Sequence, residues 1–506
     1  MNSREYRSYD LLWLSIALLP LLGLSFMLTV PAQDYWWYLR LGKDILEQAA
    51  IPLVDTMGYS RAGEPIFYQQ WLSGIIFYFV YQTGNAPLTF LLRAVLIGIT
   101  YASIWYMMRS YVRARTATIL LILLGLSSSS NWVMRPQLFA YPLFVLCLFA
   151  VFEWQKGNNR FLFFFPLSTF LWANLHGSFV LPFLLAGAAL VFGSIENSSE
   201  STAKTTKGAK NNLFLSALSE LRGSKKFQVM LIAILSMLVA SLLNPHGFGV
   251  WQYLVFILNN PSDYLFSVEW RPPTNAGWQM NIFFAWMLTF PLIASFSKQK
   301  LTWLEWILFL GFGWLALSGV RYVIWFMFLL AIFTAKLVSE WTNTYIDKPI
   351  EKINPRTNIA IAVMLLLLSL VFMPGVRDSW WEGAPELYEL STTPVDAVEF
   401  LKTREDLPGP LWNDYAFGSY LEFKLPSRPT WMDTRMYSFP QAMWEEYVRV
   451  TNGEGWQEMF DREGINLLLL SQAAQPNLIQ SVSTSSNWCE EYRDEYAIIF
   501  SRCEAK

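Results

Sequence analysis

Asp34 follows directly on an apolar run over residues 11–30, and the two histidines of this 506-residue chain, His176 and His246, stand at the ends of two later apolar runs. A carboxylate can take a proton from an attacking hydroxyl, and an imidazole can bind a phosphate or a sugar hydroxyl. Arg135 and Arg321 stand at further helix ends, and a guanidinium grips a phosphate or diphosphate through paired hydrogen bonds. Asp55 and Glu269 supply a possible second carboxylate, so that one acid activates an acceptor while another helps to hold a divalent cation such as Mg or Mn through oxygen ligands. Asp34 and Asp55 are the candidates for that metal, although the chain has no D-x-D pair. Apolar runs accept almost any apolar residue, whereas ionisable groups beside hydrocarbon need a reason.

Each of these residues also has an ordinary explanation. Asp34 sits where an N-cap would, ahead of an amphipathic helix ending near Glu47, with Trp36, Trp37 and Tyr38 as an aromatic belt at the headgroups. Asp55 lies in a turn-rich stretch. His176 and His246 fall in Asn-Leu-His-Gly and Asn-Pro-His-Gly, where a helix ends, its carbonyls need partners and its dipole favours imidazolium. Arginines at helix ends snorkel. There is no P-loop, no G-x-S-x-G elbow, no zinc spacing and no H-E-x-x-H, so soluble nucleotides are not an expected energy source.

The elements that must position these groups follow from composition. With 54% hydrophobic, 17% aromatic and only 15% charged residues, the chain reads as a polytopic membrane protein. A net charge of −2 gives no basic field for nucleic acid. Apolar segments at 11–30, 86–108, 117–130, 138–155, 161–175, 178–195, 227–243, 281–297, 302–319, 320–340 and 358–374 give about eleven spans, the first an uncleaved anchor. Residues 71–81 read as an interfacial helix. With the N-terminus inside, Lys and Arg favour the cytoplasmic loops by roughly three to one. Asp34, Arg135, His176, His246 and Arg321 are then expected on the outer face, as are loops 31–85 and 244–280. The stretch 197–226 reads as a flexible basic linker.

Beyond about residue 375 the texture becomes soluble. Strands are expected at 410–412, 420–423, 429–432, 466–470, 488–492 and 497–501, and helices at 394–404 and 440–451. The expected architecture is therefore a mainly α membrane bundle over 1–374 with a small extracytoplasmic α/β domain over 375–506, in which Cys489 and Cys503 can pair if that end is outside.

Asp34 just after the first span, an outer loop with amphipathic helices over 36–81, many further spans and a C-terminal outer domain together resemble the GT-C type integral membrane glycosyltransferases. That group includes protein mannosyltransferases, aminoarabinose transferases and oligosaccharyltransferase catalytic subunits. The stretches Asp34-Tyr-Trp-Trp-Tyr-Leu-Arg-Leu-Gly42, Asn174-Leu-His-Gly177 and Asn244-Pro-His-Gly247 are similar to bacterial members of that kind. The resemblance implies a polytopic plasma (inner) membrane enzyme that moves a sugar from a polyprenyl-phosphate donor to a glycan, lipid or protein acceptor. Asp34 would then be base or metal-linked carboxylate, and cationic groups would hold the leaving lipid phosphate. Trp412-Asn413-Asp414-Tyr415 is loosely similar to the W-W-D-Y-G element of oligosaccharyltransferases but departs at Asn413, and peptide recognition is not carried over. Arg135 stands where many relatives place another acid. The competing classes are a transporter or flippase, which needs charged residues such as Arg93 near mid-span, and a scaffold whose spans only anchor the outer domain.

Overall fold

The computed structural model of the protein describes residues 3–193, 225–345 and 354–503. The basic linker read at 197–226 falls outside these residues up to position 224, as do Lys348 and Lys352. The fold is mainly helical, with several long apolar helices and one small C-terminal sheet. By internal packing the chain forms two compact units, one of residues 1–27, 90–251 and 268–380, the other of residues 28–89, 252–267 and 381–506.

The first unit is a bundle of apolar helices. Among the described residues of the whole chain, six helices are long and apolar enough to cross a membrane, and Leu181–Gly193, Gly249–Asn259 and Trp303–Ser318 are shorter apolar helices. Helix Val323–Tyr345 is buried continuously from Val323 to Ala335 and opens toward its C-terminal end. It packs through Trp325 against Tyr141, Phe144 and Trp172, and through Phe326 against Phe283 and Phe309. Helix Gly277–Phe296, by contrast, turns Leu288, Leu292 and Phe296 outward. A helix with apolar side chains on its open side suits hydrocarbon, where every backbone group must be satisfied internally. These properties make the protein an integral membrane protein. Arg93 is fully buried, donates to the Ser25 carbonyl and lies 4.6 Å over the Phe90 ring, so packing within the bundle accounts for it.

In the second unit, four strands run β1 (Leu411–Asn413), β2 (Leu467–Ser471), β3 (Trp488–Arg493) and β4 (Ala497–Arg502), ordered β1-β2-β4-β3. β1 and β2 are parallel, and the other two pairings are antiparallel. β2 is buried throughout, as its unbroken leucines require of a strand covered on both faces. Cys489 and Cys503 form a disulfide across the β3–β4 ribbon, Cα to Cα 5.2 Å. These four strands and the helices Val395–Thr403 and Gln441–Thr451 lie where the sequence places them.

Two expected strands are absent. Residues 420–423 belong to helix Tyr415–Lys424, which Asp414 caps by accepting from the Ala416 N–H at 2.8 Å. Phe417, Tyr420 and Leu421 are buried at helical spacing, and a four-residue alternation is too short to outweigh an N-cap. Residues 429–432 stay outside the sheet, because their neighbour is the Asn413 side chain and not a backbone ladder: its Nδ2 donates to the Met432 carbonyl (2.8 Å) and its Oδ1 accepts from the Trp431 N–H (3.0 Å).

The amphipathic helix expected after Asp34 spans Tyr35–Gln48. Its aromatics are not a headgroup belt. Trp36, Trp37 and Tyr38 are buried, with Trp36 edge-on to Tyr420 (4.7 Å) and Tyr388 (5.3 Å), and burial of each such side chain contributes on the order of 2–3 kcal/mol. Arg40 extends the docking by donating to the Glu422 carbonyl at 2.9 Å. At Gly42 a Cβ would lie 2.1 Å from the Gly74 carbonyl oxygen, so only glycine permits this crossing with the following helix. That following helix, Trp71–Met108, breaks at Gly84 and Asn85, just ahead of the span expected at 86–108.

Candidate active site

Asp34 occupies the cap position of helix Tyr35–Gln48 but makes no capping hydrogen bond. Its half-buried carboxylate instead accepts on Oδ1 from the Thr434 hydroxyl at 2.8 Å. Since that hydroxyl gives its one proton to Asp34, the 2.8 Å contact between Ser419 Oγ and Thr434 Oγ1 must be donated by Ser419. A chain of two hydroxyls thus ends on the carboxylate. Tyr415 stands close enough to Asp34 to feel its charge; burial, then Asp414, then Asp34 push the Tyr415 phenol up to about 12.

A buried ionic cluster fixes the segment that carries Thr434. Arg435, fully buried, pairs with Asp433 (2.6 Å) and Asp55 (3.1 Å) and donates to the Tyr68 hydroxyl (2.8 Å). Glu422 is 3.7 Å from the guanidinium and accepts from the Thr430 hydroxyl; burial and then the Asp433 charge hold its carboxyl well above the usual carboxylate range. A guanidinium shared among several oxygens is satisfied geometrically, and removing it would strand buried carboxylates. Gly418 locks the segment from the other side, because a Cβ there would be 2.2 Å from the Met432 carbonyl oxygen and 2.8 Å from Asp433 Cα. Sequence reasoning singled out Asp34 and Asp55 but missed Ser419, Asp433, Thr434 and Arg435. The signal lay in Asp433-Thr-Arg435, a charged pair following Trp431-Met432 where a strand was expected to end.

The first unit holds a second polar constellation. Arg135 forms an ion pair with Glu269, and Arg321 lies 4.3 Å over the Trp270 ring, with Gln137 donating to its carbonyl (3.2 Å). Ser130, Asn131, Arg135, Gln137, Glu269 and Arg321 contribute to one small cavity of about 40 Å³. Burial alone would raise the Glu269 carboxyl, yet the arginines beside it hold it low. His176 lies close enough to both guanidiniums to feel their charge. Burial first, then Arg321 and Arg135, depress its imidazole to about 3, so the helix-end preference for imidazolium loses and the ring is neutral. Its Nδ1 accepts from the Ser178 N–H (3.1 Å), which leaves the ring proton on Nε2. The two histidine turns are neighbours, joined by Asn174 Nδ2 donating to the Leu243 carbonyl at 3.0 Å, and the His246 N–H is held by Asn244 Oδ1.

For a divalent cation the fit is poor. Asp55 is engaged by Arg435 and Glu269 by Arg135, and among the described residues no group of three or more His, Cys, Asp or Glu is arranged to hold a metal ion.

The fold of this chain is shared with solved structures of membrane glycosyltransferases. The oligosaccharyltransferase of Archaeoglobus fulgidus in its apo form matches with a TM-score of 0.55 at 11% identity, over 98% of this chain and 74% of its own. ArnT from Cupriavidus metallidurans in the apo state matches at 0.51 and 13% over 97% of both chains, and its complex with undecaprenyl phosphate at 0.50 and 13% over 98% of both. Mycobacterial arabinofuranosyltransferase AftD matches at 0.52 and 12%, over 97% of this chain and 41% of its own. No protein-family model matches the sequence, and no curated protein is significantly similar to it.

Proposed function

We propose that this protein is a GT-C glycosyltransferase that moves a sugar from a polyprenyl-phosphate donor to a hydroxyl of a glycan, lipid or protein acceptor. The observation that carries this reading is the Asp34 carboxylate, held by Thr434 at the start of its helix within a fold shared with enzymes that include one solved with undecaprenyl phosphate. Asp34 takes the acceptor proton as the acceptor oxygen attacks the sugar's anomeric carbon. The bond from that carbon to the phosphate oxygen breaks, and its electron pair leaves with the lipid phosphate. Within the first unit, Arg135 and Arg321 offer charge that suits a phosphate, and neutral His176 offers a hydrogen-bonding ring. No step is routed through Mg or Mn, and Asp55 and Glu269 serve as ion-pair partners of arginines.

The accompanying topology has about eleven spans, a cytoplasmic N-terminus and the sheet domain outside the plasma (inner) membrane. The positive-inside distribution supports it, and so does a disulfide, which persists in oxidising compartments. The test is direct. Purified protein in liposomes is offered synthetic polyprenyl-phosphate hexoses and pentoses with membrane glycan extract as acceptor, and free polyprenyl phosphate is measured together with glycosylated product. Stoichiometric release of both is expected; no release from any donor contradicts the proposal.

A further inference from the structure

The second unit contains a cavity that the chemistry at Asp34 does not use. About 660 Å³ in volume, it is lined by Tyr59, Glu405, Gly409, Pro410, Leu411, Ser427, Arg428 and Pro429. That volume lies within the range of small-molecule sites. Its walls are fixed from outside the lining. Arg428 donates to the Leu407 (3.0 Å) and Arg404 (2.6 Å) carbonyls, the Gly409 carbonyl accepts from Asn466 Nδ2 (2.8 Å), and the Tyr59 N–H donates to the Thr430 carbonyl (2.9 Å). Groups held this way lose little freedom when a ligand arrives.

The composition of the lining selects a class of ligand. Tyr59 brings an aromatic ring, while Pro410, Leu411 and Pro429 supply apolar surface. Arg428 is a donor only, Glu405 an acceptor, and Ser427 both. Neighbouring hydroxyls on a sugar ring give and take hydrogen bonds together, and the ring's C–H faces suit an aromatic surface. A free anion would be repelled by Glu405 and a free cation by Arg428.

We infer that this cavity is a binding site for a neutral oligosaccharide of roughly two or three rings. The binding claim rests on the lining alone; its use as a hold for a glycan acceptor rests on the proposed sugar transfer. Full-length protein in nanodiscs, titrated with neutral disaccharides of glucose, mannose, galactose and N-acetylglucosamine and read by saturation-transfer NMR, tests it. At least one disaccharide should bind. Ser427→Trp, an exposed position from which an indole can fill the space, should weaken it by at least about tenfold, equivalent to 1.4 kcal/mol, and Glu405→Gln should weaken it less. Asp34→Asn should bind as the wild type does, which separates this site from the transfer chemistry. Wild-type protein that binds none of the four sugars, or Ser427→Trp binding like wild type, would overturn the inference.

Discussion

Thr434 holds the Asp34 carboxylate by a 2.8 Å hydrogen bond. Its hydroxyl is a positioning group, so Thr434→Val should leave folding intact while lowering the transfer rate by about ten- to a hundredfold, the span of one hydrogen bond to a charged group. Thr434→Ser should restore most of it, with KM for the donor little changed in either variant. Asp414 makes a prediction of opposite sign, since it pays for its cap with burial. Desolvation raises its carboxyl from 3.8 to about 6, the Ala416 N–H opposing only in part. A folded-state value above the unfolded one means that this group's contribution to stability is fullest below pH 4 and is lost as pH rises through 6, costing on the order of 3 kcal/mol at neutral pH. Asp414→Asn, which keeps an acceptor for Ala416, should therefore raise the melting temperature at pH 7.5 and leave it nearly unchanged at pH 4. Asp34 was legible because an acid beside a long apolar run is conspicuous. Thr434 and Ser419 were not, because the hydroxyl relay joins positions 34, 419 and 434 that only the tertiary fold brings together.

At the level of elements, the Asp34 helix and the segment carrying Thr434 are joined through helix Tyr415–Lys424, with Arg40 on the Glu422 carbonyl and Gly418 against Met432. Arg435 is the keystone of that segment. Arg435→Ala should destabilise the protein by about 3–5 kcal/mol, because it strands buried carboxylates of Asp433 and Asp55, and differential scanning fluorimetry on the purified protein would register it. A melting temperature within a degree of wild type would show the cluster to be dispensable. Long apolar helices and the leucine-rich β2 were readable because their patterns extend over many residues. Residues 420–423 were misread as a strand since the decisive signal of helix Tyr415–Lys424 is one capping aspartate, and 429–432 because a buried asparagine takes the place of a strand partner.

For the whole molecule, the helix-rich, apolar character follows from composition, whereas the GT-C fold was expected only from a resemblance carried by Asp34, the loop after the first span and the soluble tail. The division by packing is less visible in the chain, since residues 28–89 and 252–267 fold with the C-terminal residues across hundreds of positions in sequence. The disulfide offers a compartment test. In membranes alkylated without reductant, Cys489 and Cys503 should be protected and become reactive only after reduction, whereas Cys147, which is buried and unpaired, should react on denaturation alone. Free thiols at 489 and 503 would contradict an outer location for the sheet domain.

The most direct measurement compares wild type with Asp34→Asn, both reconstituted at equal, folded amounts, for sugar transfer from a polyprenyl-phosphate donor. Loss of a catalytic base should cut turnover by about a hundred- to ten-thousandfold while donor binding persists. An Asp34→Asn enzyme turning over at the wild-type rate would show that Asp34 is not the base.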